Sequence, residues 1–211
     1  GNLRRPGYGF VGWNTEADGT GETRAVGSTF AMPAGDVTLY AQWKDDYAVG
    51  DRGPAGGWIF YDNGTLHADG WRYLEAAPGD VTDGATETFG WSNVTDSSVG
   101  STSTAIGSGE ANTGLIVAQT GHDSSAAQRT IDYSTEELGG SFDDWFLPSS
   151  GELQEMYTGL HSVPTGNFVN ADYWSSSEQQ AQFAEYRSFD TGASFGGFKG
   201  SAMRVRPVRA F

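Results

Sequence analysis

A nucleophile needs a base within reach, and this chain offers few residues of either kind. Gly192-Ala193-Ser194-Phe195-Gly196 has the letters of the elbow that exposes a catalytic serine between a buried strand and a helix. Its flanks are Phe189-Asp190-Thr191 and Gly197-Phe198-Lys199-Gly200, which read as a glycine-rich turn with no helix to follow. The candidate bases are His67, His122 and His161; no two stand four apart, so no helical zinc pair forms. A triad gathered around Ser194 from distant residues stays open as a hydrolase reading. The chain has no cysteine, which removes disulfides, thiolate zinc sites and cysteine nucleophiles together. Asn14, Glu16, Asp18 and Gly19 imitate the start of a calcium loop, but the twelfth position is Ala25 instead of Glu, and a hairpin turn is the better reading. Asp143-Asp144 reads as a solvated turn or as caps before it reads as a metal pair. Gly7-Tyr8-Gly9-Phe10-Val11-Gly12 copies a dinucleotide fingerprint without the strand and helix that the fingerprint needs. Gly107-Ser108-Gly109 reads as a flexible approach to a helix. The expectation is a protein that is not an enzyme, with no cofactor and no metal site.

What remains is a surface for recognition. Residues 179–203 mix amide, aromatic and small side chains with glycines, a blend suited to adaptable contacts. Gln179, Gln180, Gln182, Phe183, Glu185 and Tyr186 form its first half. Ser188, Asp190, Ala193, Ser194, Phe195, Phe198 and Ser201 complete the candidate ligand-binding set. Clean strand alternation is absent, which favours an outward role over a core role.

These residues need a scaffold, and its elements are legible. Residues 1–44 read as strands and turns, with an Asp18-Gly19 turn and an alternating run Val37 to Trp43 that puts Val37, Leu39, Ala41 and Trp43 on one face. Residues 45–49 read as a linker. Gly57-Trp58-Ile59-Phe60-Tyr61 and Gly70 to Glu75 read as paired strands. Residues 79–105 form a surface excursion with Trp91 as its anchor. Three helices are expected: Glu110 to Gln119, Ser125 to Tyr133, and one opened by the capping box Ser149…Glu152 and carried by Leu153, Met156, Tyr157 and Leu160. From Tyr173 the chain returns to strands and turns.

Composition bounds the partners. Lys+Arg total 12 and Asp+Glu 27, a formal net charge of -15, which argues against nucleic acid and against an anionic membrane surface. No apolar run approaches the roughly 18 residues of a membrane span. No stretch reads as a signal peptide, which leaves a mature fragment or a cytosolic chain. The chain carries 31 Gly, 7 Trp, 9 Tyr and 12 Phe, a blend that suits short strands and tight turns around a few large core side chains. Lys199, Arg204, Arg206 and Arg209 crowd the end, while Arg129 is the sole basic residue between Tyr73 and Tyr186. The basic end either pairs with the acidic middle or forms a patch for sulfate or carboxylate.

Two stretches resemble known families. Gly7-Tyr8, Gly12-Trp13-Asn14-Thr15, Ala17-Asp18-Gly19 and Val37 to Trp43 are similar to the second half of a Listeria–Bacteroides (internalin B-type) repeat. That resemblance implies a partial β-grasp-like module over 1–44, used in bacterial surface proteins as spacer or adhesive unit. Trp58 to Tyr61, Gly70 to Ala77, Asp144-Trp145-Phe146-Leu147-Pro148-Ser149, Tyr173 to Glu178 and Arg204 to Arg209 resemble the C-terminal domain family of the Legionella collagen-like adhesin. It implies a C-type-lectin-like domain over 50–211. The last stretch also resembles variable proteins of diversity-generating retroelements, whose diversified C-terminal segment lies between fixed flanks. Tyr173 to Ser177 and Arg204 to Phe211 look like those flanks.

The reading is an α+β chain: a partial repeat, a linker, and a C-type-lectin-like ligand-binding domain anchored by Trp58, Trp71, Trp145 and Trp174. The expected partner is a protein or glycan on another cell or surface, and the expected place is the cell surface or outside it. The alternative is an adhesin of fixed glycan specificity, in which Lys199, Arg204 and Arg206 would meet a sulfated polymer.

Overall fold

The computed structural model describes the whole chain except residues 1–4, 6–7, 26, 45, 138–139 and 162–165. Gly7 of the dinucleotide-like letters and Asp45 of the expected linker therefore lie outside the described residues. The architecture is mixed α+β, built among the described residues from short antiparallel sheets and three short α-helices.

The first sheet has the order β2-β1-β3, with β1 Gly9–Asn14, β2 Thr23–Arg24 and β3 Tyr40–Lys44. Its turn is set by one buried side chain. Asn14 donates from Nδ2 to the carbonyls of Gly19 (3.0 Å) and Gly21 (3.1 Å), and its Oδ1 accepts the Glu16 amide at 2.8 Å. Those bonds make the calcium-like letters a hairpin turn, as the spacing predicts. The strand expected from Val37 starts only at Tyr40. Phe10 packs edge-on against both Trp13 and Trp43. Residues 45–49, expected to be a linker, carry Tyr47, which is buried with Ile59, Tyr73 and Phe211.

A second sheet, in the order β13-β5-β4, joins β4 Trp58–Asp62, β5 Tyr73–Ala76 and β13 Val208–Ala210. It brings the C-terminus beside residue 73. The buried Glu75 holds this corner, accepting the amides of Ala55 (3.1 Å) and Gly57 (2.7 Å) and pairing with Arg209 at 3.2 Å. Arg209 also forks onto Asp144, both contacts at 2.9 Å. Asp144 is thus an ion-pair partner and not the solvated turn or cap expected of it.

The long excursion includes β6 Phe89–Gly90, paired with β12 Ala202–Met203. Helices follow at α1 Gly109–Val117, α2 Ala126–Ile131 and α3 Ser150–Met156. Ser125 caps α2 and the expected Ser149/Glu152 box caps α3, which continues as a π-helical turn over Tyr157–His161. A small hairpin, β7 Thr135–Glu137 with β8 Gly140–Phe142, precedes α3.

The last sheet has the order β11-β10-β9: β9 Asp172–Gln180, β10 Phe183–Ser188 and β11 Ser194–Phe198. It stands between two cores. Tyr173 and Phe189 join Leu153, Met156 and Leu160 in one, while Trp174 and Ala184 join Trp91, Ile116, Ala127 and Val205 in the other. The period-2 alternation of a strand sends neighbours Tyr173 and Trp174 into opposite cores.

Candidate ligand-binding surface

Strand β9 is buried where it starts and exposed where it ends, and its serines explain how. Ser175 Oγ donates to the Glu185 carbonyl (2.8 Å), Ser177 Oγ to the Ser103 carbonyl (2.9 Å), and Ser176 Oγ accepts from Asn112 at 3.2 Å. Small hydroxyls fit where three segments converge, because each satisfies a backbone or amide group that water cannot reach. Two tryptophans cross-link the same place: Trp91 Nε1 donates to the Ser175 carbonyl (2.7 Å) and Trp174 Nε1 to the Phe89 carbonyl (2.9 Å).

Where β9 emerges, Glu178 pairs with Lys199 at 2.6 Å, with side-chain exposures of 6% and 0%. Lys199 also donates to the Ser97 carbonyl (3.0 Å) and lies 4.8 Å from the Trp91 ring. Burial pushes the Glu178 carboxyl up, but the Lys199 ammonium, the Ser98 hydroxyl and the Val99 amide outweigh it and hold the group below its ordinary value. This pair ties the end of β11 to β9 and to the excursion.

The thirteen candidate residues lie on this clamped hairpin sheet or its turns, and none is fully buried. Gln179, Gln180, Gln182, Asp190, Ser194, Phe195 and Phe198 are exposed; Phe183, Glu185, Tyr186, Ser188, Ala193 and Ser201 are half-buried. The segment is strand-built, contrary to the lack of alternation read in its sequence. Alternation is hidden because Gly196 and Gly197 stand where side chains would mark the faces, and because the register between β9 and β10 shifts near Phe183 and Ala184. The strands divide the set between two faces. Phe183 opposes Phe198 on one, where Glu185 opposes Gly196 and Arg187 opposes Ser194. Tyr186 opposes Phe195 on the other, the two rings tilted at 5.6 Å with Trp174 edge-on behind at 6.0 Å. Gly197 makes that packing possible, since a Cβ there would meet Trp174, Tyr186 and Met203 at under 3 Å. Phe195 remains 49% exposed and Phe198 47%.

Arg187 went unread in the sequence, although it is the one basic residue between Arg129 and Lys199. It is 6% exposed, no carboxylate lies within ion-pair distance among the described residues, and its Nε has no partner. Nη1 donates to the Gly192 carbonyl. Burial pushes the guanidinium below its ordinary value, opposed by Tyr157 and Glu185.

The crowded basic end is bound internally. Arg206 donates to Asp80 (2.7 Å) and to the carbonyls of Ala77, Gly166 and Asn167. Arg204 bridges Asp80 (3.0 Å) and Glu87 (2.7 Å). Residues 204–207 form no regular strand, so these two arginines meet at Asp80 by convergence instead of by sharing a strand face. Ser194 opens β11 with no helix behind it. The histidines bond elsewhere: His122 to Ser125 (2.9 Å), His161 to Asn170 (3.1 Å) and His67 to Asp69 (3.1 Å). Among the described residues no group of three His, Cys, Asp or Glu could hold a metal, and no helix is long and apolar enough to cross a membrane.

Residues 1–42 match the Listeria-Bacteroides repeat domain family. Two proteins of Evansella cellulosilytica are similar to part of the chain. One, named as a Gly-rich membrane protein, is 54% identical over 48 residues, covering 21% of this chain and 6% of its own length. The other, named as a membrane protein, is 50% identical over 46 residues, covering 22% of this chain and 7% of its own. The chain therefore spans less than a tenth of the length of these relatives.

Proposed function

We propose that the chain is a surface-displayed, non-enzymatic ligand-binding protein whose recognition element is the β9–β11 sheet. In this reading residues 50–211 form a C-type-lectin-like domain, and 1–44 are a repeat that carries it away from the cell; that the two similar proteins are named as membrane proteins supports a place at the surface. The carrying observation is the pair of half-exposed phenylalanines, Phe195 and Phe198, on a strand whose end is held by the buried Lys199–Glu178 ion pair. Rigid aromatics lose little entropy on contact, so they supply binding energy at low cost. The resemblance to variable proteins of diversity-generating retroelements adds that 179–203 differ among copies while 204–211 stay fixed.

Two experiments test this. Sequencing codons 179–211 across a cell population should show substitutions clustered in 179–203; an invariant segment overturns the diversified reading and leaves a fixed adhesin. Phe195→Ala with Phe198→Ala should abolish capture on a protein and glycan array while leaving the circular dichroism spectrum unchanged. Retained capture refutes the sheet as the recognition element. The sulfated-polymer alternative is weakened by the internal pairing of Lys199 and Arg206, both of whose side chains are 0% exposed.

A further inference from the structure

Among the described residues each of the other buried basic side chains, Lys199, Arg206 and Arg209, ends on a carboxylate. Arg187 does not. A buried cation without a counter-ion is costly, and such a cost persists where a ligand supplies the missing charge. The surroundings fit that role. Arg187 Nη1 and the phenol end of Tyr157 both converge on Gly192: the first bonds its carbonyl, and the second occupies the place a Cβ would take. Gly192 has φ +77°, a conformation that favours glycine, so the turn closes this corner without a side chain in the way. Arg187 opposes Ser194, exposed at the start of β11. Tyr157 is steadied by stacking on His161 at 4.8 Å and by the edge of Phe189 at 5.2 Å. The corner thus gathers donors, and no carboxylate pairs with Arg187; Glu185 acts on it only from farther along the same face.

We infer that the Arg187–Tyr157–Ser194 corner receives a carboxylate of the bound ligand, from an acidic side chain or a chain terminus. This rests on the recognition reading of the β9–β11 sheet and names the chemistry of its ligand. A monoanion is favoured over phosphate or sulfate. Glu185 lies on the same face two residues away, roughly 7 Å along the strand, and the chain carries a net charge of -15. Both repel a dianion about twice as strongly as a monoanion.

The test is a titration of the full chain with sodium acetate at constant ionic strength, read by amide and arginine side-chain nitrogen–proton spectra. Expected are saturable shifts at Arg187 Nε and at the Gly192 and Ser194 amides. Arg187→Gln should abolish them. Tyr157→Phe, which keeps the ring and therefore the packing, should weaken acetate about 5-fold and covers the case in which Arg187→Gln fails to fold. Shifts that grow linearly, that sodium chloride reproduces, or that survive in Tyr157→Phe at full affinity overturn the inference. Tighter binding of phosphate or sulfate than of acetate overturns the carboxylate assignment. Acetate reads the corner without any macromolecular ligand, so its failure is separable from retained capture by the Phe195 and Phe198 variants.

Discussion

Replacing Lys199 with Met isolates the pair that holds the hairpin sheet. The ammonium contacts Glu178 at 2.6 Å and the Ser97 carbonyl at 3.0 Å, and neither side chain of the pair is more than 6% exposed. Removing one partner of such a pair costs about 3–5 kcal/mol, because the other is left charged and buried. Glu178 keeps the Val99 amide at 2.9 Å, the Gly100 amide at 3.2 Å and the Ser98 hydroxyl, which stabilise the remaining carboxylate. The low end applies, about 3 kcal/mol. In a chain of this size each kcal/mol lowers Tm by about 2–4 °C, so Lys199→Met should melt about 6–12 °C early. The sign with pH is also fixed. Glu178 titrates below its ordinary value near 4.5, so its contribution is present above that value and is lost as pH falls through the lowered one. The substitution removes the largest lowering influence, so the acid-side loss should shrink. Thermal and urea unfolding at pH 7 and pH 4 measure this, with Glu178→Gln and the double variant closing a cycle whose coupling should exceed about 1 kcal/mol. A Lys199→Met protein within about 1 kcal/mol of the parent at pH 7 would refute the reasoning.

Arg206→Met should cost at least about 3 kcal/mol in urea unfolding, since it strands three carbonyls and half of the Asp80 carboxylate; a smaller loss would mean that Arg204 and the Tyr173 hydroxyl satisfy Asp80 without it. Burial pushes Glu152 up to about 7, against the pull of the Ser149, Gly109 and Gly107 amides. A raised carboxyl contributes stability that is full below its unfolded value near 4.5 and is lost as pH rises through about 7. At about 1.4 kcal/mol per pH unit that is about 3 kcal/mol, so melting should come later at pH 5 than at pH 8, and Glu152→Gln should flatten the difference. Equal melting temperatures at the two pH values would contradict it.

The helices and the β4–β5 pair are legible because their signals are local. Ser149 and Glu152 sit three apart and cap α3 as their spacing predicts, and Trp58 to Tyr61 pairs with β5, which runs Tyr73–Ala76 where the sequence reads Gly70 to Glu75. What the sequence hid is long-range. Asp144 carries no mark that its partner is Arg209, 65 residues on. Tyr47 looks like part of a linker until Phe211 and Tyr73 close over it. Arg187 carries no mark in the sequence, since its lack of an ion-pair partner exists only once β10 and its neighbours are packed. The candidate segment was found by its composition, but its division between two faces depends on registers that two adjacent glycines conceal.

That division sets which positions can change at little cost. Ser176, Ser177, Glu178, Lys199 and the Ser175 carbonyl bind the hairpin to the body, and each is tied to a group far away in sequence. Gln179, Gln180, Gln182 and Ser194 are exposed: the first two end β9 beyond Glu178, Gln182 lies in the turn before β10, and Ser194 opens β11. Exposed substitutions away from such ties usually stay within about 0.5 kcal/mol. Tyr186 differs, because it packs on Trp174, and its truncation would open space against a core. Tolerance should therefore follow the face and not the position along the chain. A random library over 179–201 sorted for folding should keep Trp174-facing positions aromatic or small while Gln180, Gln182 and Ser194 vary freely. A library in which both faces vary alike would mean that the sheet is not held by the contacts beneath it.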